Sequence, residues 1–200
     1  MIADALDGPA IRQGTTQRRL TLTPIAFDLI LALSQVRGGL RLSDLARIVG
    51  APVSSVQASL RILLANDIVN RLGDDRVVYR LRPGHPARVA LVNVATVLAE
   101  PEHVIGIVLR ANPSVSFATI DRQGFVFATS DDADAADMSR LDRAIGAVRA
   151  ARNPAPALMQ LRGAEFGRLA RVDVGLVARL VNAVRLKGHL PIAPSPSING

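Results

Sequence analysis

The sequence contains no cysteine and only three histidines. Without cysteine the chain has no disulfide, no thiolate-bound metal and no cysteine nucleophile. The histidines His85, His103 and His189 lie far apart and lack the HxH or HxxxH spacing of a zinc site. Glycine-rich phosphate loops, dinucleotide-binding motifs and the GxSxG pattern of a nucleophilic serine are also missing. We therefore predict neither an enzyme nor a cofactor.

Long apolar segments are missing as well. No apolar run approaches the roughly 20 residues that a membrane-spanning helix needs, and the first 20 residues contain no apolar centre of signal-peptide length. Nevertheless, 49% of the 200 residues are hydrophobic and the mean hydropathy is +0.27, which is enough for a buried core. We expect one or two folded domains in the cytoplasm, with no membrane partner.

Basic residues outnumber acidic ones, and the formal net charge is +7. The positive charge comes from arginines and a single lysine, Lys187. Such a chain is expected to bind an anionic partner, most commonly nucleic acid. Residues 1–82 hold 11 basic against 7 acidic residues, and residues 83–200 hold 13 against 10. The excess is therefore slightly larger in the shorter, first part.

Residues 42–65 have the pattern of two helices separated by a tight turn. Ser43 is a suitable N-cap for the first helix, which ends where Gly50 can adopt a left-handed backbone and Pro52 interrupts the helix. The second helix covers residues 53–65 and has apolar residues every three or four positions on one face. The opposite face carries small or hydrogen-bonding side chains, namely Ser54, Ser55, Gln57, Ala58 and Arg61. Such a face is narrow and polar enough to enter a major groove.

Residues 69–81 have the pattern of a β-hairpin. Alternating and β-branched runs flank a turn at Gly73, Asp74 and Asp75. A protruding hairpin of this kind would lie along DNA phosphates. The arginines that flank its turn are Arg71, Arg76, Arg80 and Arg82.

The order of helix, glycine turn, second helix, ANDIV segment and hairpin resembles the winged helix-turn-helix of bacterial transcriptional regulators. The resemblance implies a DNA-binding domain over residues 21–83, a recognition helix at 53–65 and a wing at 69–81. Thr23 and Pro24 would cap and begin the first helix of this domain. The expected DNA contacts are Ser54, Ser55, Gln57, Ala58, Arg61, Arg71, Arg76 and Arg80. The alternative is a small helical domain with an ordinary surface hairpin.

A second, small α/β domain for dimerisation or sensing is expected at residues 84–190, because prolines and a glycine at positions 83–86 break the pattern. The whole chain is then α+β, with a flexible arm at 1–20 and a disordered tail at 191–200. The apolar first helix of the second domain is a candidate dimer seam, so we expect a homodimer.

The expected elements are helices at 87–99, 102–110, 138–151, 165–169 and 174–184, the last ended by Gly188, and strands at 115–118 and 125–129.

The second half resembles a minimal nucleotidyltransferase domain, which some regulators carry fused to a winged helix. The likeness lies in the order of the segments ANPSVSFATIDRQG, SDDAD, NPAPALMQ and LKGHLPI, with a helix start at Glu165 and Phe166. The phosphate-holding Gly-Ser pair of that family falls at Ile120 and Asp121, where a carboxylate would repel phosphate. There is also little room for the strand with the third carboxylate. The resemblance therefore implies a degenerate, inactive domain.

The acidic segment at 131–137 has two interpretations. Asp132 and Asp134 have the spacing of a strand-end pair that can hold Mg²⁺. We favour instead a helix N-terminus, where the helix dipole stabilises carboxylates, and so predict no metal site.

These patterns together predict a sequence-specific transcriptional regulator that binds double-stranded DNA, with a protein partner or a small-molecule effector for the second half. Two alternatives stay open. One is an antitoxin-type autorepressor whose second half binds a protein partner, and the other is an active nucleotidyltransferase.

Overall fold

The computed structural model describes residues 21–151 and 155–189, and these ranges contain eight helices and two separate sheets. The predicted α+β class is thereby confirmed. The predicted arm at 1–20 and tail at 191–200 lie outside the described residues. None of the described helices is by itself long and apolar enough to cross a membrane. The elements in chain order are α1 (Pro24–Ser34), α2 (Leu42–Val49), α3 (Val53–Ala65), β1 (Val69–Leu72), β2 (Val78–Leu81), α4 (Arg88–Leu98), α5 (Pro101–Ala111), β3 (Val115–Asp121), β4 (Gly124–Thr129), α6 (Ala135–Ala151), β5 (Leu158–Arg162), α7 (Gly163–Val172), α8 (Val174–Asn182) and β6 (Val184–Lys187).

The first helix lies at the centre of the core. Its predicted start is confirmed, because Thr23 Oγ1 accepts a hydrogen bond from the Ala26 amide at 3.2 Å and Pro24 is the first helical residue. Most residues between Ala26 and Leu33 are buried. The helix can be apolar on every side because α2, α3, β2, α4 and α5 all pack around it.

The next two helices agree with the sequence except at one end. The helix α2 begins at Leu42 with Arg41 at the N-cap position and no side-chain cap, so the prediction of Ser43 as N-cap is wrong. Gly50 ends α2 as predicted, with a φ of 73° in the left-handed region. The helix α3 has the predicted bounds, Val53–Ala65.

The strands β1 and β2 form an antiparallel hairpin in which Arg71 lies opposite Tyr79. β2 is shorter than predicted and begins at Val78, because residues 73–77 form the connecting loop. Leu40 adds a bridge at the other edge: the amides of Leu40 and Tyr79 each donate to the other's carbonyl, at 2.9 and 2.8 Å. The hairpin is therefore tied to the segment between α1 and α2.

The larger sheet has the strand order β5-β4-β3-β6, and only β4 and β5 are parallel. The helix α6 supplies the crossover that a parallel pair requires. The helices α5 and α6 share one apolar cluster with Ala118 and Phe127, whereas α7 and α8 share another with Phe117 and Val126. Because neighbouring strand residues point to opposite faces, the sheet is covered by helices on both sides.

Two strands of this sheet differ from the sequence-based expectation. β5 was not predicted, and β6 begins at Val184, which was predicted as the last residue of the final helix. That helix ends at Asn182, and Gly188 follows β6 instead of ending α8, so this prediction is wrong.

The core is continuous across the predicted domain boundary at residues 83 and 84. One cluster of buried side chains runs from α1 through α3 and α5 to α6. Polar contacts cross the boundary too: His103 Nε2 lies 2.8 Å from Asp28 Oδ1, and Arg110 Nε donates to the Ile48 carbonyl at 2.7 Å. The two parts therefore share buried surface, while the division into domains stays a prediction.

Candidate nucleic-acid interface

The axes of α2 and α3 turn by 109° across the three residues between them. The left-handed backbone at Gly50 permits this turn, and the Gly50 amide donates to the Ala46 carbonyl at 2.9 Å. One face of α3 packs into the core through Val56, Leu60 and Leu63, which are at most 2% exposed. The outer face of α3 is thereby turned away from the protein.

A partly buried hydrogen bond helps to fix the rotation of α3 about its own axis. The hydroxyl of Ser59 lies 3.1 Å from that of Thr23, the residue that also caps α1. Ser59 is 3% exposed, so rotating α3 would separate this pair and leave polar groups unsatisfied. The predicted sequence pattern did not include this contact, because it joins residues 36 positions apart.

The residues predicted to read bases lie together on the outer face of α3. Ser54, Gln57, Ala58 and Arg61 are exposed, and Ser55 is half-buried beside them. The helix Val53–Ala65 contains no acidic residue. The face therefore offers hydrogen-bonding groups and one positive charge without a carboxylate to repel phosphate.

The hairpin places two of its three predicted arginines in solvent. Arg71 lies on β1 and Arg76 in the connecting loop, and both are exposed. The loop needs glycine at position 73, where φ is 80° and a Cβ atom would lie 2.9 Å from the Arg76 carbonyl oxygen. Asp74 and Asp75 are exposed in the same loop and outnumber Arg76, so the loop itself carries a net negative charge.

Arg80 differs from the other hairpin arginines. It lies opposite Asn70, and because paired residues share a face while successive residues alternate, it points to the reverse face of the hairpin from Arg71. Its side chain lines a pocket of about 240 Å³, and its Nε is buried without a hydrogen-bond partner among the described residues. The structure therefore does not place Arg80 with Arg71 and Arg76 on an open surface.

Two aspartates of the acidic segment after β4 accept hydrogen bonds from backbone amides. Asp134 Oδ1 accepts from the Ala136 amide at 2.8 Å at the start of α6, as the helix N-terminus interpretation expects. Asp131 Oδ1 accepts from the Ala164 amide at 3.2 Å. Asp132 is exposed. Across residues 21–151 and 155–189, no group of three or more histidines and acids is arranged to hold a metal ion.

The position that corresponds to the phosphate-holding pair has a structural role here. Asp121 forms an ion pair with the Arg179 guanidinium of α8, and Arg179 Nη2 donates to Asp121 Oδ1 at 3.0 Å. These hydrogen bonds lower the pKa of Asp121 below its usual value. The β3–β4 turn is thus tied to α8. The strand β5 beside β4 has the sequence LMQLR and therefore supplies no third carboxylate.

A second, larger cleft of about 500 Å³ lies between α2 and the second half. Lys187 lies in its wall and donates from Nζ to the Asn112 carbonyl at 2.6 Å. Burial, together with the nearby Arg47, lowers the pKa of Lys187 to about 8.

The helix α4, predicted as a dimer seam, presents apolar side chains to solvent. They include Val89 at 70% exposure and Leu98 at 67%. The homodimer stays a prediction.

Comparisons with protein-family models, with curated proteins and with solved structures return no match for this chain.

Proposed function

We propose that the protein is a sequence-specific DNA-binding transcriptional regulator. In this proposal residues 21–83 form a winged helix-turn-helix, α3 is the recognition helix in the major groove, and the β1–β2 hairpin is the wing along the phosphate backbone. The second half joins two copies on a two-fold symmetric site or receives a signal.

The outer face of α3 is the observation that carries the proposal. It is exposed, polar and free of acids, and it follows a 109° turn, within the range of about 90–120° for helix-turn-helix pairs. On this face Arg61 is suited to contact guanine, and Gln57 to contact adenine.

The hairpin is a second observation that supports the same proposal. It is fixed to the helical part by the Leu40–Tyr79 bridge and presents Arg71 and Arg76 to solvent. Guanidinium groups on a hairpin that packs next to α3 can contact phosphates beside the groove that α3 would occupy.

Selection of bound duplexes from a random DNA library tests the proposal. The purified protein should enrich one motif, and the motif should be a palindrome if the protein binds as a homodimer. A double variant, Gln57→Ala with Arg61→Ala, changes only exposed side chains and should lose the motif while keeping its fold by circular dichroism. A library that shows no enrichment after repeated rounds would overturn the proposal.

A further inference from the structure

The pocket behind the hairpin contains a concentration of arginines. It lies between the end of α1, the strand β2, the start of α4 and the helix α6, and its lining includes no carboxylate. Apart from Ser34, the rest of the lining is apolar. The arginines that line it are Arg37, Arg80, Arg88 and Arg140.

These four charges are poorly compensated within the part of the chain that the structure describes. Only Arg140 has a carboxylate partner there, Asp137, and its Nε donates to the Gln35 carbonyl at 3.1 Å. Burial lowers the pKa of Arg140, and the nearby positive charges of Arg37 and Arg88 lower it further, against the opposing effect of Asp134. Arg80 Nε is buried without an acceptor, an arrangement that costs free energy until an acceptor arrives.

The larger cleft beside α2 differs from this pocket in the balance of charges that line it. It shares Arg37 with the pocket behind the hairpin and is also lined by Arg47, Arg110 and Lys187, but its lining includes three carboxylates, those of Asp44, Asp134 and Asp137. Its charges can therefore compensate one another. The pocket behind the hairpin lacks this compensation in its own lining.

We infer that the pocket behind the hairpin is a binding site for a small anion with two or more negative charges, such as a phosphomonoester or a dicarboxylate. Guanidinium groups recognise both through paired N–H donors, and such charge-assisted hydrogen bonds are about twice as strong as neutral ones. A volume of about 240 Å³ is below the roughly 300–1,000 Å³ of sites for drug-sized ligands. The pocket therefore has room for a small anion and not for a drug-sized ligand.

Such a ligand would connect the hairpin to the second half. Arg80 belongs to β2 of the hairpin, and Arg37 precedes the Leu40 bridge, whereas Arg88 and Arg140 belong to α4 and α6. An anion held by both pairs links the hairpin to α4 and α6, and it changes DNA affinity where it binds the free protein and the DNA-bound protein with different affinities. This regulatory consequence rests on the proposed function, whereas the binding site does not.

Calorimetric titration at constant ionic strength tests the site in the absence of DNA. The probes are inorganic pyrophosphate, glycerol 3-phosphate and succinate, with chloride as the monovalent control. We expect saturable binding of at least one multivalent probe and none of chloride. Arg37→Gln and Arg88→Gln remove exposed guanidinium groups and should each weaken binding by about tenfold or more, the effect of losing a hydrogen bond to a charged group.

Arg149→Gln is the matched control, because Arg149 is an exposed arginine on α6 outside the pocket lining. It removes the same charge and should leave probe binding unchanged. Equal weakening by Arg149→Gln and Arg88→Gln, or the absence of saturable binding by the wild-type protein, would overturn the site.

The same probes, added to the protein with its selected duplex, test the regulatory consequence. A change in duplex affinity that disappears in Arg88→Gln supports it, and an unchanged affinity at saturating probe overturns it. If the protein binds pyrophosphate but enriches no DNA motif, the anion site is supported and the proposed function is overturned. The two failures are therefore distinguishable.

Discussion

The outer face of α3 and the pocket behind the hairpin are both cationic, but they differ in enclosure. Arg61 and Arg76 stand in solvent, where each charge acts weakly and is screened by salt. Arg80 and Arg140 are partly enclosed, where charges act more strongly on one another and on a ligand. The exposed arginines suit a polyanion, which makes many weak contacts. The partly enclosed arginines suit a single small anion.

The hairpin shows that the number of arginines in a segment does not tell which of the two surfaces each arginine belongs to. Arg71 and Arg80 lie on paired strands of the same hairpin, yet the register places Arg71 opposite Tyr79 and Arg80 opposite Asn70. The two arginines therefore belong to opposite faces. Register, which depends on long-range packing, decides which arginine is open and which is enclosed.

The largest expected effect comes from a negative charge at the centre of the open face. Ala58→Glu should reduce affinity for the selected duplex by about 100-fold or more, because a carboxylate there would meet phosphates and base acceptors. Gel-shift titration measures the loss. Ala147→Glu makes the same change at an exposed position of α6 and should leave binding almost unchanged. Equal losses in the two variants would mean that α3 has no special place in binding.

Loss of the single cation on α3 should affect specificity. Arg61→Ala should weaken binding to the selected duplex by about 1–3 kcal/mol and leave binding to a random duplex nearly as it was, since a base contact discriminates between sequences. Fluorescence anisotropy with both duplexes measures the difference. If both affinities fall together, Arg61 contacts phosphate and the assignment to base reading is wrong.

An arginine of the hairpin loop should behave in the opposite way. Arg76→Ala should weaken binding to every duplex alike and reduce the slope of log affinity against log salt by about one. Arg122→Ala is its control, because Arg122 is likewise an exposed arginine beside an aspartate in a hairpin turn. A salt slope that changes equally in the two variants would remove the hairpin from the DNA contact.

The last expected effect concerns an enclosed cation, and it changes stability instead of DNA affinity. Because the pKa of Lys187 is about 8 in the folded protein and 10.5 in its ordinary state, the unfolded chain holds more protons between these two pH values. The free energy of unfolding should therefore rise with pH from about 8 to about 10.5. Urea denaturation at pH 7 and pH 10 measures the rise, which Lys187→Met should lack. Groups that titrate in both proteins cancel in the difference, so parallel pH profiles would contradict the burial of a charged Lys187.

Local patterns were sufficient for the bounds of α3 and the start of α1. The bounds of α3 follow from its apolar repeat and from Gly50 and Pro52, which force a turn before it. The start of α1 follows from Thr23 and Pro24. These features depend on neighbouring residues, so they are readable without knowledge of the fold.

Features that depend on distant contacts were not readable. β5 pairs in parallel with β4 across the whole of α6, and its sequence LMQLR has no strong alternation. β6 was not predicted, and Val184 at its start was assigned to the helix because Val181 and Val184 are three residues apart, a helical spacing, although α8 ends at Asn182. The arginine pocket draws on four separate parts of the chain, and no local signal connects Arg37 with Arg88 or Arg140.

The ratio of affinities for the selected duplex and for a scrambled duplex of equal length, measured at one physiological salt concentration, tests the central claim most directly. If α3 reads bases, the ratio should be about 10³ or more, the lower end for specific DNA-binding proteins. A ratio near one would show that the protein binds DNA only through its charge, and would contradict the assignment of α3 as a recognition helix.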